Sequence, residues 1–177
     1  MTDPTLGFVG LAVLGLALGC TRSPTPLNPA YRGSIGLPHA GMLTDAAELA
    51  RDRRDLRWLR PNDRHFGLPR FTATLERAAS RVAMQRAGSV LWVGDLSARH
   101  GGRISGHASH RTGRDADLLL YMTTLDGVPV ASPGFVPIEP DGLGFDPKTG
   151  RYLRFDVTVR KELDDWLIKL RFSICIF

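Results

Sequence analysis

Residues 71–93 read FTATLERAASRVAMQRAGSVLWV, and this stretch decides the fold class. Its apolar side chains recur at the spacing of one helical face, at Phe71, Leu75, Ala78, Ala79 and Val82. Pro69 stands just before them and Gly88 just after, as is usual at the start and the end of a helix. The run 89–93 is short, apolar and followed by a glycine, which predicts a buried strand. A helix over 71–87 therefore leads directly into a strand.

Further elements are predicted on both sides of this stretch. Upstream, we expect a short helix or turn over 43–49 and a charged segment over 51–60 with three inward-facing apolar residues, Leu56, Trp58 and Leu59. Downstream, the pattern predicts a strand over 115–122, a long loop or short hairpin over 126–150, an extended segment over 151–155 and a helix over 156–170. The predicted fold class is α+β, in a single small domain.

Composition limits the class of protein. With 43% hydrophobic and 23% charged residues among 177, the chain matches neither a disordered nor a multi-span membrane protein. The net charge is +5, and only three of the 23 basic residues are lysine. The arginines are scattered among acids and form no stripe suited to duplex phosphates, so no nucleic acid partner is predicted. Arginine-rich coding or an anionic polymer partner would each explain the charge.

The first 33 residues are predicted to serve export. Residues 6–18 are apolar but short for a membrane span, and Gly19 and Cys20 follow directly. We predict a signal peptide over 1–19, a lipidated Cys20 that begins a tether over 20–33, and a folded domain over 34–177. An uncleaved membrane anchor is the alternative, since no Lys or Arg precedes the apolar run. Localisation in the periplasm or cell envelope is expected either way.

Histidines, carboxylates and glycines are concentrated in residues 101–117, GGRISGHASHRTGRDAD. His110 and Asp117 are seven positions apart, with Gly113 between them. A tight reversal at Gly113 would bring both side chains to one metal ion, and an imidazole with a carboxylate suits Zn²⁺. Solvated surface side chains are the alternative interpretation of this spacing.

The wider string resembles the signature of the penicillin-insensitive murein endopeptidases. The resemblance is carried by GDLS at 94–97, GG at 101–102 and GHASHRTGRDAD at 106–117, and it extends over roughly 34–170. It implies membership of the zinc peptidases that include lysostaphin and the D-alanyl-D-alanine dipeptidases. It also implies an α+β domain around an antiparallel sheet with a central zinc site.

The same resemblance implies roles for single residues. His110 and Asp117 match zinc ligands of the family, and His107 matches a further histidine that is a ligand or lies close to the metal. Asp115 is expected to orient an imidazole or the loop, with turn capping as the alternative. Arg111 and Arg114 are expected either to pair with stem-peptide carboxylates or to lie on a solvated face.

In the family, a His-x-His element near the C-terminus supplies the remaining ligand and the histidine that handles the proton. The chain has five histidines, and none follows His110: they are His39, His65, His100, His107 and His110. We therefore expect a truncated or frame-shifted copy that lacks the C-terminal part of the family fold and has no intact activity. His39, His65 and His100 are predicted to be exposed.

Three functions remain open at this point. The first is an exported zinc metalloendopeptidase that cleaves the D-alanyl to diaminopimelyl cross-link between peptidoglycan stem peptides. The second is a carboxypeptidase or dipeptidase of the same zinc group. The third is a non-catalytic lipoprotein that binds murein or zinc. In each case the partners are peptidoglycan and, through the lipid on Cys20, a membrane surface.

Overall fold

The computed structural model describes residue 28, residues 30–159, 161 and 163, and the backbone of 173–176. In these residues one long helix, α1, covers Pro69–Gln85. Twelve short strands accompany it in the described residues: β1 Ser34–Leu37, β2 Ala40–Leu43, β3 Ala47–Glu48, β4 Leu56–Trp58, β5 Phe66–Gly67, β6 Leu91–Val93, β7 Asp115–Leu118, β8 Met122–Thr123, β9 Pro129–Val130, β10 Leu143–Asp146, β11 Arg151–Phe155 and β12 Ser173–Ile176. The predicted α+β class is confirmed.

Helix α1 forms where the sequence predicted it, with both ends two residues earlier. Pro69 occupies the first turn, where its missing N–H leaves no hydrogen bond unmade and its fixed φ suits the helix. The predicted apolar face is the buried face of the helix. Gly88, just beyond the helix, has a φ of +88°, a conformation that other residues rarely adopt.

The strand that follows α1 belongs to a four-stranded mixed sheet of order β12-β7-β6-β4. Strand β6 runs antiparallel to β7, with Val93 opposite Leu118. Strands β4 and β6 are parallel, as are β12 and β7. The expected single antiparallel sheet is therefore only part of the arrangement, because the antiparallel pairs of the described strands are β6–β7 here and those of three separate sheets. Those sheets are β1-β2, β3-β5 and β10-β11-β8-β9.

One hydrophobic cluster joins α1 to the mixed sheet. It contains the buried face of α1 with Leu56 of β4, Leu91 and Val93 of β6, and Leu118 of β7. Val159 and Leu163 of the predicted second helix pack into the same cluster. Residues 157–159, 161 and 163 are helical, and the rest of the predicted helix over 156–170 lies outside the described residues. Strands β6 and β7, which lie on either side of the histidine-rich motif in the sequence, are thus held in place by packing against α1.

Two predicted elements were wrong. The segment 43–49 is not helical: it contains the end of β2 and all of β3, which pairs with β5. The predicted strand over 115–122 is two strands, because β7 lies in the mixed sheet and β8 pairs with β11 and β9. An apolar run cannot show where a chain changes sheets, since both strands are buried. In the segment 126–150, predicted as a long loop or short hairpin, β10 forms a hairpin with β11, and the extended segment predicted over 151–155 is confirmed as β11.

The part of the chain that the structure describes contains no helix that is long and apolar enough to cross a membrane. The predicted signal peptide and Cys20 lie outside the described residues.

Candidate metal centre

Three side chains of the motif converge beside strand β7 of the mixed sheet. His107 and His110 lie in the loop between β6 and β7, and Asp117 lies in β7 itself. One potential ligand atom from each of the three falls within 4.8 Å of the others. The structure therefore brings together the residues that the sequence singled out as candidate ligands.

Gly113 makes the reversal between His110 and Asp117. Its φ is +67°, and a Cβ there would lie 2.6 Å from Cδ2 of Leu43 and 3.0 Å from Cα of Gly67. A side chain is excluded both by the backbone conformation and by the neighbouring strands. The chain bends over 111–113, where a tight reversal was expected, and Gly113 lies against β2 and β5.

His110 is buried and its ring is fixed from two sides. Nδ1 lies 2.6 Å from the carbonyl oxygen of Leu96, which can only accept, so the hydrogen is assigned to Nδ1. Nε2 therefore faces Oδ1 of Asp117, at 3.1 Å, with its lone pair. Burial lowers the pKa of His110, but the hydrogen bond and charge of Asp117 outweigh burial and raise it overall. A proton or a metal ion between Nε2 and the carboxylate would relieve the contact between their lone pairs.

His107 is half-buried, and it faces Asp117 with Nδ1, whereas His110 faces Asp117 with Nε2. Its Nε2 lies 3.0 Å from Oδ2 of Asp95, and its Nδ1 lies 3.8 Å from Oδ2 of Asp117. The ring stands edge-on to that of His110, with the ring centroids 4.7 Å apart. The two imidazoles therefore approach Asp117 from different directions.

Asp95 is the site residue that sequence reasoning missed. It lies directly after β6 and is buried, and its carboxylate also accepts hydrogen bonds from Nδ2 of Asn62, at 2.9 Å, and Nη1 of Arg64, at 3.1 Å. Burial raises the pKa of Asp95, yet these two donors and the charge of His107 lower it below its ordinary value. Its position at the end of a buried strand and within the GDLS stretch that carries the family resemblance were the available signals, but no role in the site was assigned to it.

Asp115 acts on the main chain of the loop. Its Oδ2 accepts a 3.0 Å hydrogen bond from the backbone N–H of His110, a contact that agrees both with orienting the loop and with turn capping. Arg114 donates to the carbonyl oxygen of Gly36, at 2.9 Å. Arg111 and Arg114 are both half-buried, and neither of the two roles suggested for them is decided by this exposure.

His65 corrects another expectation. It was predicted to be exposed, but it is fully buried and stacks on Trp58 with the ring centroids 3.7 Å apart. Burial lowers its pKa and favours the neutral ring. His39 and His100 are exposed, as predicted. The stack fixes the loop that carries Asn62, which also lines a cavity of about 640 Å³ on the protein surface.

The donor set fits zinc. Two imidazole nitrogens and one carboxylate oxygen are the ligand types of catalytic zinc sites, which hold the metal by three protein ligands and keep a position open. Both rings have an acceptor behind them, as metal-bound histidines require. Oδ1 of Asp117 is buried without a well-formed hydrogen bond, so it is available to a cation.

Comparison with known proteins gives a consistent family. A sequence model described as penicillin-insensitive murein endopeptidase matches residues 34–130, which is more than half of the chain and contains the whole motif. A penicillin-insensitive murein endopeptidase of Pectobacterium atrosepticum is 34% identical over 130 residues, covering 66% of this chain and 45% of the relative. Proteins of the same name from Yersinia enterocolitica and Escherichia coli O157:H7 are 31% and 32% identical over 123 and 126 residues. They are covered over 44% and 46% of their length, by 65% and 69% of this chain.

Proposed function

Because the chain belongs to the penicillin-insensitive murein endopeptidase family, we propose that it provides the metal-binding part of an exported zinc metalloendopeptidase acting on peptidoglycan. The substrate would be the D-alanyl to diaminopimelyl cross-link between stem peptides. The observation that carries the proposal is the convergence of two pre-oriented imidazoles on the buried carboxylate of Asp117.

His107, His110 and Asp117 would hold the metal, through Nδ1, Nε2 and a carboxylate oxygen respectively. A bound zinc ion would lower the pKa of a water ligand to about 7 and polarise the scissile carbonyl. The carbonyl of Leu96 holds the ring of His110, and Asp115 holds its backbone. These contacts exist before any metal binds, which reduces the reorganisation that binding requires.

The proton-handling step is not supported by residues of this sequence. The 177 residues contain no histidine after His110, so the His-x-His implied by the family resemblance is not among them. We expect these residues alone to bind Zn²⁺ weakly, because the ligand that the family resemblance assigns to the His-x-His is not among them and water would take its position on the metal. We also expect that they leave cross-linked muropeptides uncut.

Isothermal titration of the 177-residue protein with zinc chloride tests the metal site. His110→Ala should abolish the heat of binding, and His39→Ala, which removes an exposed histidine, should leave it unchanged. Binding that survives His110→Ala would overturn the assignment of the metal site.

A chromatographic assay on purified dimeric muropeptide tests the catalytic part. Binding of zinc without cleavage is the expected result, and it is also what a non-catalytic murein- or zinc-binding lipoprotein would give. Adding a His-x-His segment from a full-length relative separates the two, because only a catalytic half-site can regain cleavage. Efficient zinc-dependent cleavage by residues 21–177 alone would show that no further histidine is needed.

The location is a second part of the proposal. The apolar run 6–18 followed by Cys20 supports export and attachment of a lipid to the Cys20 thiol. Labelling of cells with a palmitate analogue should mark the wild-type protein and spare Cys20→Ala. Equal labelling of both proteins would exclude lipidation at Cys20 and leave a simple secreted or anchored form.

A further inference from the structure

We propose that Asp95 is a positioning residue whose carboxylate decides which ring nitrogen of His107 faces Asp117. This inference rests on the proposed function, because the nitrogen it selects is the one that would bind the metal. Asp95 contributes no atom to the cluster itself, and acts through the imidazole.

The contacts of Asp95 leave one assignment for the His107 proton. Its side chain is 3% exposed, Oδ1 accepts from Nδ2 of Asn62, and Oδ2 accepts from Nη1 of Arg64. The same Oδ2 lies 3.0 Å from Nε2 of His107. A carboxylate can only accept hydrogen bonds, so the hydrogen of the neutral ring must be on Nε2.

The consequence concerns the opposite nitrogen. With the hydrogen on Nε2, the lone pair of His107 is on Nδ1, which faces Oδ2 of Asp117 at 3.8 Å. Without Asp95, the ring could place its hydrogen on Nδ1 and point it into the space where a ligand lone pair is needed. The carboxylate therefore selects the competent tautomer before the metal arrives.

Two backbone hydrogen bonds hold Asp95 and Asp117 next to each other. The N–H of Asp117 donates to the carbonyl of Asp95, at 3.0 Å, and the N–H of Gly94 donates to the carbonyl of Asp117, at 2.8 Å. Asp95 and Asp117 are thus neighbours on paired backbone. The acceptor behind His107 and the carboxylate in front of it cannot shift independently.

Asp95→Asn disturbs this set with little change in volume. An amide offers one acceptor atom and one donor atom, whereas Asn62, Arg64 and His107 all present donors to this side chain. In either orientation of the new amide, at least one donor faces another donor. With the amide nitrogen towards His107, the Nε2 hydrogen has no acceptor; with the amide oxygen there, it is accepted without the negative charge of the carboxylate. In both orientations the preference for hydrogen on Nε2 over Nδ1 is weakened.

Two measurements on the 177-residue protein test the inference. Titration with zinc chloride should show an affinity about 10- to 100-fold lower for Asp95→Asn than for the wild type. Asp63→Asn is the matched control, because Asp63 is an exposed carboxylate in the same loop as Asn62, and its affinity should be unchanged. Long-range ¹H–¹⁵N spectra of the metal-free protein, labelled at histidine, should place the His107 hydrogen on Nε2 in the wild type and show a larger fraction of the ring with hydrogen on Nδ1 in Asp95→Asn.

The outcomes are distinguishable from failure of the proposed function. A wild-type spectrum with the hydrogen on Nδ1 of His107 overturns the inference even if Asp95→Asn does not fold. An Asp95→Asn protein that folds and binds zinc as tightly as the wild type overturns it as well. A wild-type protein that binds no zinc contradicts the proposed function, while the metal-free spectrum still decides the role of Asp95.

Discussion

The backbone N–H of His110 donates a 3.0 Å hydrogen bond to Oδ2 of Asp115, five residues along the chain. His110 has a φ of +65° and is the one residue other than glycine with a positive φ in the part of the chain described. This left-handed conformation costs a non-glycine residue about 1–2 kcal/mol. The hydrogen bond to Asp115 satisfies the buried N–H of His110 and stabilises the bend that directs the His110 ring at Asp117.

Replacing Asp115 should destabilise the loop of His110. Asp115→Ala leaves a buried N–H without its partner, which should lower the free energy of unfolding by about 1–3 kcal/mol. Urea unfolding followed by circular dichroism measures this in the absence of zinc. Asp115→Asn retains an acceptor oxygen and should recover most of the loss, and Asp63→Ala, at an exposed carboxylate, should change stability by less than about 0.5 kcal/mol. Equal losses for the two Asp115 variants would contradict a role as acceptor.

The core prediction concerns Leu75, which is fully buried in α1 and belongs to the same cluster as Leu91 and Val93 of β6. Leu75→Ala should lower the free energy of unfolding by about 2–5 kcal/mol, because the surrounding side chains cannot fill the cavity. Met84→Ala, on the same helix but 77% exposed, provides the comparison and should have little effect. A change below about 0.5 kcal/mol at Leu75 would mean that α1 does not pack on the mixed sheet.

Alanine substitutions at Gly101 and Gly102 distinguish the cost of a steric clash from the cost of an unfavourable backbone conformation. Both have a positive φ, but a Cβ at Gly101 would lie 2.5 Å from the backbone nitrogen of Leu43, whereas a Cβ at Gly102 would meet nothing within 4 Å. Gly102→Ala should therefore cost only about 1–2 kcal/mol. Gly101→Ala should cost clearly more, since backbone of β2 must move. Thermal unfolding of both variants checks the order, and equal midpoints would contradict the close approach of this loop to β2.

Asp55 should make stability depend on pH below neutrality. Burial raises the pKa of this carboxyl, but hydrogen bonds from Arg53 and Ser80 outweigh burial, and the folded-state pKa is lower than the ordinary value of 3.8. The ionised form therefore stabilises the folded state above the ordinary pKa, and this contribution is lost as the pH falls through the folded pKa. Asp55→Asn should be less stable than the wild type at pH 7, and the difference should shrink towards pH 2. Urea midpoints across this range measure it; a constant difference would mean that the charge of Asp55 is not the source of the stabilisation.

Local signals in the sequence were sufficient for some elements and not for others. Helix α1 and strand β11 are determined by nearby residues, so periodicity and turn residues located them. The division of 115–122 between two sheets depends on partners far along the chain, which periodicity does not show. His65 was misassigned for a similar reason, because its polar sequence neighbours gave no sign that its ring would stack on Trp58.

The candidate site shows the same limit. His110 and Asp117 were found because they are close in sequence and of ligand type, and His107 was added by the family resemblance. Asp95 stands twelve residues before His107 and thirty-one after Arg64, so its contacts with both exist only in the fold. The position in the sequence of a residue that orients a ligand follows no fixed spacing from that ligand, because strand pairing in the fold brings the two side chains together.

The two candidate ligand histidines differ in what a mutation can change. The ring of His110 is held by the main-chain carbonyl of Leu96, which every amino acid at position 96 would supply. The ring of His107 is held by the side chain of Asp95, which a single nucleotide change can replace. A substitution at position 95 can therefore remove the acceptor that holds the His107 ring, whereas no substitution at position 96 removes the carbonyl that holds the His110 ring.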